Sequence, residues 1–348
     1  RISPTLTLRN QTQLSGYKVV ASPTPLGTVS VIGGGTPTLG TPLELLNAQR
    51  RDRNREIEDA SLSNQTELVS RFHTGSVQHT LTTGVELGTD DYHEDRYTWT
   101  PTNLPVNLGS PASVPRPGTR FLSRTTDTTA ETFAVYANDQ LDLGERWKLI
   151  GGLRWDRFRA ETEEANFNAA GTTTAERTES KTDTMLSTRA GVIYQPSDSR
   201  SYYVSYGTSF NPSAEAVSQS ASTASLDPEK SRAYEAGAKW DLLGGNLQLN
   251  AAVFRVEKTN ARVPDPLTGL QVLAGKLRVD GAEIGLVGGI TPAWQVLAGY
   301  TLLDGETLES PELGTGSNAG IPAAGKTLLN TPRHSASVWT TYRFAQSW

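Results

Sequence analysis

The stretch Trp147–Trp155 reads WKLIGGLRW. Its odd positions Trp147, Leu149, Leu153 and Trp155 are large and apolar, and they oppose Lys148, Gly152 and Arg154. Successive side chains of a strand point to opposite faces, so this stretch reads as a strand with one apolar and one polar side. The same rhythm returns along the chain. Tyr202, Val204 and Tyr206 oppose Ser201, Ser205, Gly207 and Ser209, with Tyr203 as the exception. Tyr234, Ala236, Ala238, Trp240 and Leu242 oppose Glu235, Gly237, Lys239 and Asp241. Trp294, Val296, Ala298, Tyr300 and Leu302 oppose Gln295, Gly299 and Thr301, and Leu81, Val85 and Leu87 oppose Gln78, Gly84 and Glu86. Ala336, Val338, Tyr342 and Phe344 oppose Ser335, Ser337, Thr341 and Arg343. Helical spacing groups none of these runs as well.

Extending this reading gives about twelve strands. They fall near 4–18, 56–72, 76–92, 128–142, 145–160, 182–195, 200–210, 229–243, 246–258, 272–288, 293–304 and 329–344. Most exceed the five or six residues usual in soluble sheets, and a tilted membrane strand needs about 9–11. Short and long connections alternate. Short turns sit at His73–Ser76, Leu143–Glu145, Pro196–Ser199, Gly244–Gly245 and Gly289–Pro292. Long segments run through Ala21–Arg55, His93–Asp127, Glu161–Lys181, Asn211–Pro228, Thr259–Gln271 and Gly305–Thr327. Bacterial outer-membrane barrels have short periplasmic turns and long outer loops.

Composition agrees with this and narrows function. Only 36% of the 348 residues are hydrophobic, and no apolar run reaches the roughly 18 residues of a spanning helix. A membrane barrel has a soluble-looking average because only every second strand residue faces lipid. There are no cysteines, which excludes disulfides, Cys-ligated zinc and thiol catalysis. A net charge of -5 gives no case for nucleic acid. The chain starts at Arg1 and runs in strand-like sequence almost to Trp348, so both ends are expected to be cuts in a longer chain.

A sheet in lipid must close on itself to satisfy its backbone. The polar face carries Glu67, Arg71, Glu86, Arg154, Asp156, Arg189, Glu235, Lys239, Glu283 and Arg343, which need water or partners. Wide barrels hold a channel or a plug, whereas narrow ones fill with side chains. The expected fold is therefore all-β: an antiparallel transmembrane β-barrel of the wide kind, multi-pass in the outer membrane. Tyr202, Tyr206, Trp240, Trp294 and Tyr342 lie near strand ends on the apolar face, as an interfacial girdle or as packing in a soluble sheet.

Several segments resemble the TonB-dependent siderophore receptors. Phe133–Arg157 (FAVYANDQLDLGERWKLIGGLRWDR) is similar to a family hairpin, and Tyr202–Pro212 (YYVSYGTSFNP) to the strand that follows out to the mouth. Leu226–Trp240 (LDPEKSRAYEAGAKW) matches a family segment closely. Asn250–Asn260, Gly275–Leu286 and Gly325–Tyr342 continue the match in order, and Asn64–Glu86 is similar to ferric-siderophore receptors of catecholate and related types. The resemblance covers roughly 56–344. It implies that residues 1–348 are part of a 22-stranded barrel, with about twelve consecutive strands here. The plug domain, the TonB box and the remaining strands would lie outside this stretch. It further implies a ferric siderophore as transported ligand, outer-membrane lipid and TonB as partners, and no covalently bound cofactor.

On that reading the outer segments catch the ligand. Arg96, Tyr97 and Trp99 either contact an anionic, aromatic ferric siderophore by charge and stacking or anchor a loop. Arg116, Arg120, Phe121 and Arg124 raise the same pair of readings. Asp90, Asp91, His93, Glu94 and Asp95 could ligate a cation, but a solvated acidic loop is the commoner meaning, and no metal site is expected. No Ser-His-Asp order, H-E-x-x-H or phosphate loop occurs, so no catalytic residues are expected. Two rival functions remain: a passive porin-like channel, and a soluble β-rich adhesin whose apolar face is covered by a second sheet.

Overall fold

The computed structural model describes residues 2–23, 26–50, 54–100, 104–111, 118–212, 227–264, 271–310 and 323–344. Fifteen strands are present among them: β1 (Leu6–Ala21), β2 (Leu26–Val31), β3 (Leu46–Arg50), β4 (Asn54–Thr74), β5 (Val77–Thr100), β6 (Leu104–Asn107), β7 (Thr119–Leu143), β8 (Trp147–Phe167), β9 (Thr173–Ser197), β10 (Arg200–Asn211), β11 (Glu229–Leu242), β12 (Leu247–Pro264), β13 (Gln271–Thr291), β14 (Trp294–Glu309) and β15 (His334–Tyr342).

Twelve of them form one sheet in the order β1-β4-β5-β7-β8-β9-β10-β11-β12-β13-β14-β15, and these are the expected twelve in the expected sequence. Every neighbouring pair is antiparallel. Such a meander places all short turns at one end and all long connections at the other. The first and last strands are not paired with each other, so the sheet has two open edges.

Burial separates the two faces. Along β7 the even residues Thr126, Thr128, Ala130 and Ala134 are buried, while their neighbours Asp127, Thr129, Phe133 and Val135 are exposed. One face of a continuous sheet is shielded only if the sheet curls toward it, so the even-numbered face of β7 is the inner one. The apolar residues line the outer face, where Val204 is 54% and Val338 71% exposed. Among the described residues no second sheet covers this face, and Tyr202 and Trp294 are exposed and Tyr206 and Trp240 half-exposed, which goes against the adhesin.

The inner face carries the expected charges. Arg154 Nη1 donates to Glu86 Oε2 (2.8 Å) across β7, and Arg154 Nε donates to Asp156 Oδ1 (2.9 Å). Tyr203, which breaks the alternation of its strand, lies on this face too. It stands opposite Gly237, its ring covers that glycine, and its hydroxyl donates to Glu235 (2.5 Å). Tyr136 covers Gly84 and Phe254 covers Gly281 in the same way. An aromatic ring over a cross-strand glycine gives the bare backbone a packing partner and pins the register.

Two features depart from the sequence reading. First, the strands extend outward well past their expected ends. β5 continues to Thr100, β7 begins at Thr119, β8 runs to Phe167 and β9 begins at Thr173. Most of Glu161–Lys181, and residues 93–100 and 119–127 of His93–Asp127, are therefore hairpin, not loop. These segments are polar on both faces, so they lack the alternation that betrays a strand, yet their backbones pair with each other as any two adjacent edges can. Second, the segments after β1 and β5 meet. β2, β3 and β6 make a small three-stranded sheet with Ala48 fully buried between its partners. Asn107 fastens it: Nδ2 donates to Glu44 O (2.8 Å), and Oδ1 accepts from the N–H groups of Gly109 and Ser110 (3.0 Å each).

Candidate functional site

The β5–β7 hairpin positions six of the seven candidate residues; Arg116 lies outside the described residues. Arg96, Tyr97 and Trp99 are on β5 and Arg120, Phe121 and Arg124 on β7, all in paired strand and not in loop. Strand alternation then divides them. Arg96 faces Arg124, and Thr98 faces Phe121, on the inner side. Tyr97 faces Leu122 and Trp99 faces Arg120 on the outer side. Between Arg96 and Tyr97 the register shifts by one, with Ser123 as the extra residue. Its hydroxyl donates to the Arg96 carbonyl (2.9 Å) and accepts from Thr98 Oγ1 (3.0 Å), which ties the bulge to β5.

On the inner side three arginines stand in one row. Arg55 of β4 faces Arg96 of β5, which faces Arg124 of β7. Like charges directly opposite on adjacent strands repel. Two carboxylates offset this. Glu94, only 1% exposed, accepts from Arg96 Nη2 on both oxygens (3.1 Å each) and from the Tyr92 hydroxyl (3.3 Å). Glu164 lies 3.1 Å from Arg124, whose Nε donates to Asn166 (3.1 Å). Burial first, and then the neighbouring Glu94 carboxylate, push the Tyr92 hydroxyl up to about 12, so it remains a donor throughout the physiological range. Three guanidiniums for two carboxylates leaves this row with an excess of positive charge, near the long-connection ends of β4, β5 and β7.

On the outer side the groups bind one another. The Arg120 guanidinium stacks 3.7 Å above the Tyr97 ring, and its Nη2 donates to Glu56 (2.6 Å). His93 Nδ1 meets Asp127 at 2.7 Å, and its Nε2 lies 3.4 Å from Asp95. The hydrogen bond with Asp127 is the main cause holding the His93 imidazole above its usual range, against a burial effect that lowers it. The acidic run is also split: Asp90 and Glu94 face inward, and Asp91, His93 and Asp95 face outward. Among the described residues no three His, Cys, Asp or Glu side chains gather as a metal site.

Sequence reasoning did not single out Arg55. The available signal was the basic run Arg50–Arg55 (RRDRNR), read as loop. It also missed the pairing of His79 with Asp139 (2.6 Å) on the outer face near the short-turn end, which no spacing rule exposes because the residues are 60 apart.

Fold and wall together define an outer-membrane β-barrel of receptor type. The family described as TonB-dependent receptor-like, β-barrel, matches residues 6–348, and the chain belongs to it. This family comprises receptors and not enzymes. Similar relatives include the probable TonB-dependent siderophore receptor PiuA of Acinetobacter baumannii, 32% identical over 83% of this chain and 42% of its own. The catecholate siderophore receptor Fiu of Escherichia coli K12 is 30% identical over 98% of this chain and 46% of its own. Crystal structures of PiuA and of the closed form of Fiu superpose with TM-scores of 0.80 and 0.78, at 25% and 26% identity. Each alignment covers 98% or 99% of this chain and 50% of the other. The chain thus spans about half the length of the relatives it matches.

Proposed function

We propose that residues 1–348 form part of the barrel wall of a receptor that takes up a ferric siderophore, with further strands closing the open edges and TonB supplying energy through a region outside this stretch. The row Arg55–Arg96–Arg124 is the observation that carries the reading. Ferric siderophores with catecholate or carboxylate donors are anionic, and planar guanidiniums bind such oxygens bidentately. Phe121, on the same face, offers a stacking surface for an aromatic chelator. Iron stays inside its chelate, so no protein ligands to the metal are required. Tyr97, Trp99 and Arg120 serve the outer surface of the hairpin. The exposed apolar band is in contact with outer-membrane lipid.

The test is growth under iron limitation. A strain lacking the full-length gene is complemented with it and supplied in turn with catecholate, hydroxamate and mixed siderophores. Growth restored by at least one of them, and lost when the inner-membrane energy source is removed, is the expected result. Rescue that survives loss of that energy source would instead identify a passive channel.

A further inference from the structure

A groove of about 450 Å³ lies on the outer face of the sheet, not inside the wall. Its floor is apolar, from Leu62, Leu87 and Phe133, and its rim holds Arg157, Arg159 and Glu131. Register fixes its height. One row down, Val85, Val135, Trp155 and Leu186 are all apolar. In the groove's own row Leu87 and Phe133 stand beside Arg157. In the next row out come Thr89, Glu131 and Arg159. The groove therefore straddles the line where the apolar band ends on the long-connection side.

The two arginines differ. Arg159 is held by Glu161 (3.0 Å) and lies 4.0 Å from Glu131. Arg157 is exposed and has no hydrogen-bond or ion-pair partner among the described residues. A bare guanidinium at the upper edge of a hydrocarbon band is poorly placed unless an anion meets it. The acidic side chains Asp127, Glu161 and Glu163 occupy the surface beyond. They repel an anion from positions further out and so confine it to the level of Arg157.

We propose that this groove binds one phosphorylated lipid of the outer leaflet. An acyl chain lies along Leu62, Leu87 and Phe133, and a headgroup phosphate is taken by Arg157 with help from Arg159. The proposal rests on the reading that the exposed band faces lipid, and deepens it to a specific site.

The full-length receptor is placed in nanodiscs of phosphatidylethanolamine and titrated with bisphosphorylated lipid A, the dephosphorylated lipid, and inorganic phosphate. Retained lipid is counted by native mass spectrometry. The wild type is expected to retain one bisphosphorylated lipid in preference to the dephosphorylated one. Arg157→Gln with Arg159→Gln is expected to weaken retention at least about tenfold, and Arg157→Lys to keep most of it. Lys18→Gln, on the same face outside the groove, is expected to change nothing. Equal retention by the double variant overturns the site, as does capture of inorganic phosphate alone, or a second receptor copy covering the groove and excluding lipid. Failure of the wild type to enter nanodiscs would overturn the lipid-facing band itself, a distinguishable result.

Discussion

Gly84 stands directly opposite Tyr136, and the tyrosine ring lies flat across the space a side chain at Gly84 would fill. The hydroxyl then reaches over the whole of β5 to donate to Glu67 (2.8 Å) and accept from Gln65 Nε2 (2.6 Å). One ring thus ties three strands together on the inner wall. Gly84→Ala is expected to expel it and destabilise the sheet by about 1–3 kcal/mol. Tyr136→Ala in the Gly84→Ala background should cost less than Tyr136→Ala alone, because the ring is already displaced. Urea unfolding of the full-length receptor in lipid vesicles, run as a double-mutant cycle, measures this. Strict additivity would show that the ring and the glycine do not act together.

The outer face makes a depth-dependent prediction. Val135 lies within the apolar band and Glu131 just beyond it. An arginine at Val135 should cost about 2–4 kcal/mol in vesicle unfolding, and an arginine at Glu131 about 0–1. Equal costs would remove the boundary on which the lipid-facing assignment depends.

His93 gives the outer hairpin a pH dependence. Its folded value is raised above the unfolded value of about 6.5, chiefly by Asp127. A raised basic group contributes stability that is complete below the unfolded value and disappears as pH climbs through the folded one. Hydrogen exchange around Glu94 and Thr126 should therefore be slowest, after correction for intrinsic rate, at mildly acidic pH, and should speed up as pH rises. His93→Asn should flatten the profile. The effect is small because the pair is exposed and screened.

The two sides of the hairpin predict different phenotypes. Arg96→Gln and Arg124→Gln should each weaken binding of the cognate ferric siderophore about tenfold or more, as expected for loss of a charge-assisted contact. Trp99→Ala and Arg120→Gln should leave that affinity within about twofold. Ligand binding followed by intrinsic fluorescence quenching decides. Reversed sensitivities would place the ligand outside the wall.

The strand count, their order and the polarity of the two faces were legible because hydrocarbon on one side and polar groups on the other write a two-residue alternation into the chain. Even the exception at Tyr203 has a structural cause, since Gly237 opposite leaves room for its ring. Beyond the band that constraint ends. In 93–100 and 119–127 polar residues stand on both faces, so the sequence reads as loop while the backbone of these two stretches continues as hairpin. The candidate arginines and aromatics were found by type, but their division between two faces depends on a strand assignment that composition does not reveal. Arg55 joined them only through register with a strand 41 residues away in sequence, at Arg96. The sheet of β2, β3 and β6 was invisible for a related reason: its strands are four to six residues long and pair across segments that neither share a turn nor show alternation.

The Ser123 bulge sets which compartment each tip residue addresses. Below it, even positions of β7 look into the conduit; at the tip, Phe121 does so and Arg120 looks away. Were Ser123 taken into the ladder opposite Tyr97 instead of being left over, the outermost stretch would slip by one residue, and Phe121 and Arg120 would exchange faces. The groups of the inner face and those of the outer face are thereby recorded in interleaved letters of one ribbon, and a single extra residue sets their phase.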